Sequence, residues 1–244
     1  MREFFRMKEI WIGGKGNNEP KCNIYISDDF GTNTERCLVL IQGTGAVRAG
    51  VWARSVCVNE DLSLGSVFPM LQFARDNNFS VIVLNPNMAE DPISGAQIQH
   101  CQTMQEHCNY VWENFIAKKK TKSENRCAAE RLAIVAHSAG GRCVADWTDK
   151  YKAEFMQRVE ALVFTDAYYH AMWKQTWSKP QLTRLRQIGI HFRAYKQEHK
   201  DLGVLFKQQN GPITEVSAGT SVHTMTTGLS TDAALSFILE RFSA

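Results

Sequence analysis

Four short, almost unbroken apolar runs, at residues 38–41, 81–84, 132–136 and 161–165, restrict this chain to a narrow set of folds. A strand that is apolar on both faces must be covered on both, the condition of a parallel sheet held between two layers of helices. Helical patterns fall between the runs. Ser66 is placed to cap a helix carrying Val67, Met70, Leu71 and Ala74 that stops at Asn77 and Asn78. Ile98, Cys101, Met104 or Gln105, Cys108, Val111, Trp112 and Phe115 recur at the three-and-four spacing of one buried helix face. Val144, Trp147, Tyr151 and Phe155 do so again, and Ala234, Phe237, Ile238 and Phe242 close the chain in the same way. Strands alternating with helices predict an α/β fold with a mainly parallel central sheet and helices on both faces. Cys22, Ile24 and Ile26 alternate with polar neighbours as a half-buried strand near a sheet edge does, and residues 190–195 and 213–216 are two further strand candidates.

With 244 residues, 44% of them hydrophobic and no linker-like shift in composition, the expectation is one α/β domain over 1–244. The formal charge of +3 disfavours an electrostatically dominated nucleic-acid binder. The lysines at 118, 119, 120 and 122 read as a solvated basic loop after a helix. No stretch approaches the ~20 apolar residues of a membrane span, and residues 1–8 lack the apolar core of a signal peptide, so an intracellular protein is expected. Seven cysteines, several within apolar runs, read as reduced thiols rather than a disulfide framework. His100, Cys101, His107 and Cys108 have the side chains of a metal site. Cys101 and Cys108 lie on the apolar helix stripe, however, and the set lacks compact ligand spacing, so neither metal nor cofactor is expected.

The chemistry points to residues 136–140, A-H-S-A-G, between a buried strand and a helix. A serine at that junction sits on a sharp strained turn, and the residues two before and two after it must be small so that strand and helix backbones can approach. Ala136 and Gly140 satisfy this, which makes the arrangement a nucleophile elbow of the α/β-hydrolase fold with Ser138 as nucleophile. Serine needs a general base, and the base needs an orienting acid. In this fold they follow in the order serine, acid, histidine. Of the later histidines (His170, His191, His199 and His223), His191 falls within a strand, whereas His223 lies in the loop before the final helix. Glu198 after the penultimate strand is favoured as the acid over Asp166 at the end of the fourth buried run, with Asp201 third. The oxyanion donors are expected from Ala139 and from the loop Gly43, Thr44 and Gly45. Gln42, Arg48, Trp52, His137, Tyr168 and Tyr169 are the expected pocket residues, and the crowding of Tyr168, Tyr169, Trp173 and Trp177 suggests a roof or a partner contact.

Several segments together carry a more specific likeness. LVLIQGTGAVRAGVWAR, VNEDL, VIVLNPN, EHCNYVWENFI, VAHSAGG, the pair Thr165 and Asp166, and VSAGTSVH resemble the α/β-hydrolase-like domain of the Arb-two family, between about Leu38 and His223. That family includes a fungal argonaute-binding protein and animal cotranscriptional regulators. The resemblance implies a serine nucleophile at Ser138, its histidine at His223, and an acid at Glu198 or Asp166. It also implies intracellular roles in small-RNA silencing, chromatin or splicing, with an argonaute, chromatin or splicing factor as protein partner. Two departures bear on the pocket: Gln42 stands where family members often have histidine, and Ala139 where they have a bulkier residue. The function expected is therefore acyl-ester or thioester hydrolysis on a small substrate. A non-catalytic scaffold is the alternative.

Overall fold

The computed structural model describes residues 1–16, 18–118, 123–169, 177–195, 201–209 and 211–243. Eight strands make one sheet: β1 (Met7–Gly13), β2 (Lys21–Ser27), β3 (Arg36–Ile41), β4 (Ser80–Val83), β5 (Arg131–His137), β6 (Val159–Thr165), β7 (Gly189–Arg193) and β8 (Thr214–Ser217). Their spatial order is β1-β2-β4-β3-β5-β6-β7-β8. The β1/β2 and β2/β4 pairs are antiparallel, and every pair from β4 to β8 is parallel. This is the α/β-hydrolase fold, as the apolar runs and the elbow predicted.

Among the described residues, eight α-helices connect and cover the strands: α1 (Arg54–Asn59), α2 (Leu62–Gly65), α3 (Phe68–Asp76), α4 (Met104–Val111), α5 (Gly140–Lys150), α6 (Lys152–Arg158), α7 (Lys179–Ile188) and α8 (Thr226–Ser243). Alternate residues of each central strand serve opposite cores. Leu38, Leu40, Ala133 and Val135 pack with Met70 and Leu71 of α3 and Ala234 and Ile238 of α8. Val39, Ile41, Leu132 and Ile134 pack with Cys108 of α4, Val144 and Trp147 of α5 and Phe155 of α6. The unbroken apolar runs are thus the record of two cores sharing one sheet.

Three local expectations are revised. The helix expected from Ile98 begins only at Met104, because Thr103 caps it by accepting the Glu106 amide at 3.1 Å, and it ends in a wide π turn over Trp112–Ile116. Ile98 and Cys101 are buried, but in the turn that precedes the helix. The pattern from Val144 to Phe155 is two helices, broken at Tyr151. Strand β1 has no counterpart in the expectations: Lys8 and Trp11 are exposed, so it lacks a fully apolar signature.

Candidate active site

The parallel strands end at one edge of the sheet, where the loops after β3, β5, β6 and β8 converge. At the end of β5, Ser138 takes φ +51° in a left-handed turn and is 5% exposed. Its amide donates to the Thr165 carbonyl at 3.0 Å, and its carbonyl accepts from the amides of Gly141 and Tyr168, each at 3.1 Å. The turn is therefore fastened to both β6 and the first turn of α5. A Cβ on Gly140 would come within 2.9 Å of the Gln42 carbonyl and 3.0 Å of the Ile41 carbonyl, which is why glycine stands two residues after the serine. Such a left-handed, strained non-glycine residue at a sheet edge is the geometry of a nucleophile elbow.

His223 opens a short 3₁₀ turn ahead of α8, and its Nδ1 lies 2.5 Å from Asp166 Oδ2. Asp166, also left-handed with φ +43°, accepts the Ala194 amide on Oδ1 at 3.1 Å. Burial pulls its carboxyl upward, but the hydrogen bonds from His223 and the Ala194 amide outweigh burial and hold it below the usual carboxylate range. The carboxylate accepts, so Nδ1 carries the hydrogen, and in the neutral imidazole it is Nε2 that keeps the lone pair. Among the described residues no hydrogen bond joins Ser138 Oγ to His223. The His137 ring lies 4.7 Å from the His223 ring, and the Tyr168 ring lies 6.5 Å from it.

His137 forms the polar floor. It is 4% exposed, and its Nδ1 donates to the Thr165 carbonyl at 2.9 Å, with Thr165 Oγ1 and Thr227 Oγ1 each at 3.2 Å. Burial first, and the nearby His223 charge second, push its pKa down to about 4. It is a neutral structural imidazole at pH 7.

The loop after β3 lies directly against the elbow. A Cβ on Gly43 would sit 2.7 Å from Ser138 Cβ and 3.0 Å from His137 Cδ2. Asn87, which the sequence reading did not single out, organises this loop: its Nδ2 donates to the Gly43 carbonyl at 2.7 Å and its Oδ1 accepts the Gly45 amide at 3.2 Å. The Gly45 amide is thereby committed and is not a free oxyanion donor. The Thr44 and Ala139 amides have no protein acceptor among the described residues. An asparagine in a polar loop carries no sequence signal of such a role, since its two contacts lie more than 40 residues away.

Other expected pocket residues have different work. Gln42 is fully buried, and its amide, oriented to donate to the Leu84 carbonyl at 2.7 Å and accept the Gly50 amide at 3.2 Å, ties the loop to β4. Arg48 braces the same loop, donating to the carbonyls of Val47 at 3.2 Å and Asn87 at 3.5 Å. Trp52 is 3% exposed and packs in the core on the α3/α8 side of the sheet. Tyr169 is 2% exposed, stacks on Phe164 and meets His191 Nδ1 through its hydroxyl at 3.2 Å, so it is core rather than pocket wall. Tyr168, by contrast, is 57% exposed beside His223. His191 is buried as expected, and its Nε2 accepts the Ala167 amide at 2.9 Å, which secures the chain just after Asp166. Trp177 donates to Asp149 Oδ1 at 3.0 Å and packs against the core on the α4–α7 side. Glu198, His170, His199 and Trp173 lie outside the described residues, and Asp201 is exposed.

Three comparisons bear on the chain as a whole. The family model for the Arb2 domain matches residues 5–90 and 88–195. A "Cotranscriptional regulator ARB2A homolog" of Gallus gallus is 30% identical over 277 residues, spanning 93% of this chain and 64% of that protein. A protein of the same name in Dictyostelium discoideum is 31% identical over 97% of this chain and 66% of its own length. The chain thus spans just under two thirds of these relatives. Among solved structures, a histone deacetylase from Saccharomyces cerevisiae superposes with a TM-score of 0.58 at 11% identity, over 98% of this chain and 91% of that one, a likeness of fold alone.

Proposed function

The chain belongs to the Arb2 domain family, and from that premise we propose that it is a serine hydrolase of acyl esters or thioesters, with Ser138 as nucleophile, His223 as base and Asp166 as the orienting acid. The observation that carries this reading is the 2.5 Å Asp166–His223 contact at the same sheet edge as the left-handed Ser138. Asp166 fixes the tautomer that leaves Nε2 able to take the Ser138 proton, and Oγ then attacks the acyl carbon. The Thr44 and Ala139 amides supply the charge stabilisation for the tetrahedral oxyanion, each donor contributing on the order of a hundred- to a thousandfold in rate. His223 returns the proton to the departing alkoxide or thiolate, and water repeats the sequence to release the acid. The relay closes when substrate seats His223 against Oγ, as catalytic hydrogen bonds often tighten only in the bound complex. Asp166 replaces Glu198 as the favoured acid because it is already bonded to His223.

The relatives are named cotranscriptional regulators, which favours a second reading, in which the same fold is a platform for a protein partner and does no chemistry. Labelling of the folded chain by a fluorophosphonate separates the two. The hydrolase reading expects a Ser138 adduct that depends on His223. The platform reading expects folded protein that stays unlabelled while a partner is recovered.

A further inference from the structure

Away from Ser138, three buried side chains that no step above uses meet on the α4 side of the sheet. Cys22 from β2, Cys101 from the turn before α4, and His107 from α4 bring their Sγ, Sγ and Nδ1 atoms within 4.8 Å of one another. Cys101 Sγ is 3.4 Å from His107 Nδ1, and Cys22 Sγ is 4.0 Å from it. By residue type the trio suits a soft metal ion, but the far side of the imidazole decides otherwise. His107 Nε2 accepts the backbone amide of Asn85 at 3.1 Å, and an amide nitrogen can only donate. The neutral ring therefore carries its hydrogen on Nδ1, the atom that faces the sulfurs, and that nitrogen has no lone pair for a metal. What it offers instead is an N–H aimed at Cys101 Sγ, the arrangement that stabilises a thiolate.

We propose that Cys22 and Cys101 are a peroxide-responsive thiol pair in which Cys101 is the attacking thiolate, His107 stabilises it, and Cys22 resolves it to a disulfide. The Cys101 thiolate attacks one oxygen of hydrogen peroxide. The O–O bond breaks, an S–OH bond forms, and hydroxide leaves to be protonated to water. Cys22 sulfur then attacks the Cys101 sulfenic sulfur, the S–O bond breaks, and the departing hydroxide takes the Cys22 proton. In sum, two thiols and one peroxide give one disulfide and two waters, the sulfurs losing the two electrons that the peroxide gains. The nearby Cys22 thiol first, and the His107 N–H with it, overcome burial and hold the Cys101 thiol down at about 5, while Cys101 and burial push Cys22, whose Sγ donates to the Asn85 carbonyl at 3.5 Å, far up. The two thiols are thus graded into attacker and resolver. Peroxide is little larger than water, and Cys101 sits in an irregular turn rather than in a strand or helix.

Closing the sulfurs to the ~2.05 Å of a disulfide draws Cys101 toward β2 and away from His107. His107 holds the Asn85 amide, two residues before the Asn87 that organises the loop beside Ser138. Any effect on acyl chemistry through this link rests on the reading of Ser138, whereas the thiol chemistry does not.

The test is stepwise oxidation of the full chain with hydrogen peroxide, alkylation of remaining thiols in denaturant, and peptide mapping by mass spectrometry. The expected result is a linked Cys22–Cys101 peptide pair that appears before Cys57, the partly exposed thiol, is modified, and that dithiothreitol reverses. In Cys22→Ser, dimedone should trap a sulfenic acid on Cys101. Oxidation of Cys57 while Cys22 and Cys101 both remain alkylatable overturns the proposal. So does stoichiometric zinc that copurifies with the wild-type chain and is lost in Cys101→Ser, since it marks a metal centre. Because the wild-type map alone decides the first outcome, a variant that fails to fold does not rescue the idea.

Discussion

In the proposed hydrolase, single atoms carry the chemistry at this sheet edge. Asp166 holds His223 by one short contact and is itself held by the Ala194 amide, so replacing one carboxylate oxygen is the sharpest perturbation available. Asp166→Asn is expected to favour the wrong imidazole tautomer and slow probe labelling by on the order of 10⁴-fold with the fold intact. Glu198→Gln should leave the rate within about twofold, and labelling rates of the two variants side by side check both. Gly43 is as exacting as the triad. In Gly43→Ala the new Cβ meets Ser138 Cβ at 2.7 Å, so denaturation should show a loss of about 1–3 kcal/mol and labelling should fall at least about tenfold as the oxyanion loop is pushed off. Of the residues of the proposed site, Ser138 and His223 stand out in the sequence because chain order and the elbow pattern single them out. Asp166 was legible only as one of three candidate acids, because choosing among them depends on which carboxylate lies within reach of His223. Asn87, the thiol pair and the structural duty of Tyr169 were not legible. Each depends on a contact between distant segments that no spacing encodes.

At the scale of elements, the apolar runs of β3, β4, β5 and β6 announced themselves because both faces of each are buried. Edge strand β1 did not, since its outer residues meet solvent. Nor did α7, which carries the polar run K-P-Q-L-T-R-L-R-Q-I and buries only Leu185 and Ile188. The helix boundary at Thr103 was missed because Ile98 and Cys101 keep the helical spacing while lying in a turn. That boundary is testable. Thr103→Ala removes the oxygen that accepts the Glu106 amide and should cost about 1 kcal/mol by urea denaturation, whereas Thr103→Ser should restore most of it. An unchanged midpoint in both variants contradicts the assigned cap.

Over the whole molecule, two cores share one sheet, and the site lies where the loops from its parallel strands converge, an arrangement general to open α/β sheets. Burying His137 in that junction has a global consequence. The unfolded chain binds a proton on this imidazole below about 6.5, but the folded one does so only near 4. Stability from this group is therefore complete above 6.5 and is lost as pH falls toward 4, by about 3 kcal/mol. Asp166 adds a further loss at lower pH, since its folded carboxyl binds a proton less readily than the unfolded one. Urea midpoints from pH 7 to pH 4.5 should fall more steeply for the wild type than for His137→Gln, and equal slopes argue against a neutral buried His137. No helix among the described residues is long and apolar enough to cross a membrane.

Activation of Ser138 is tested most directly by mass-spectrometric location of a fluorophosphonate adduct on the wild-type chain, with His223→Ala and Asp166→Asn labelled in parallel and folding checked by circular dichroism. An activated Ser138 gives one adduct per chain, lost in His223→Ala and strongly slowed in Asp166→Asn. Folded wild-type protein that takes no label, or a Ser138 adduct formed as fast without His223, contradicts it.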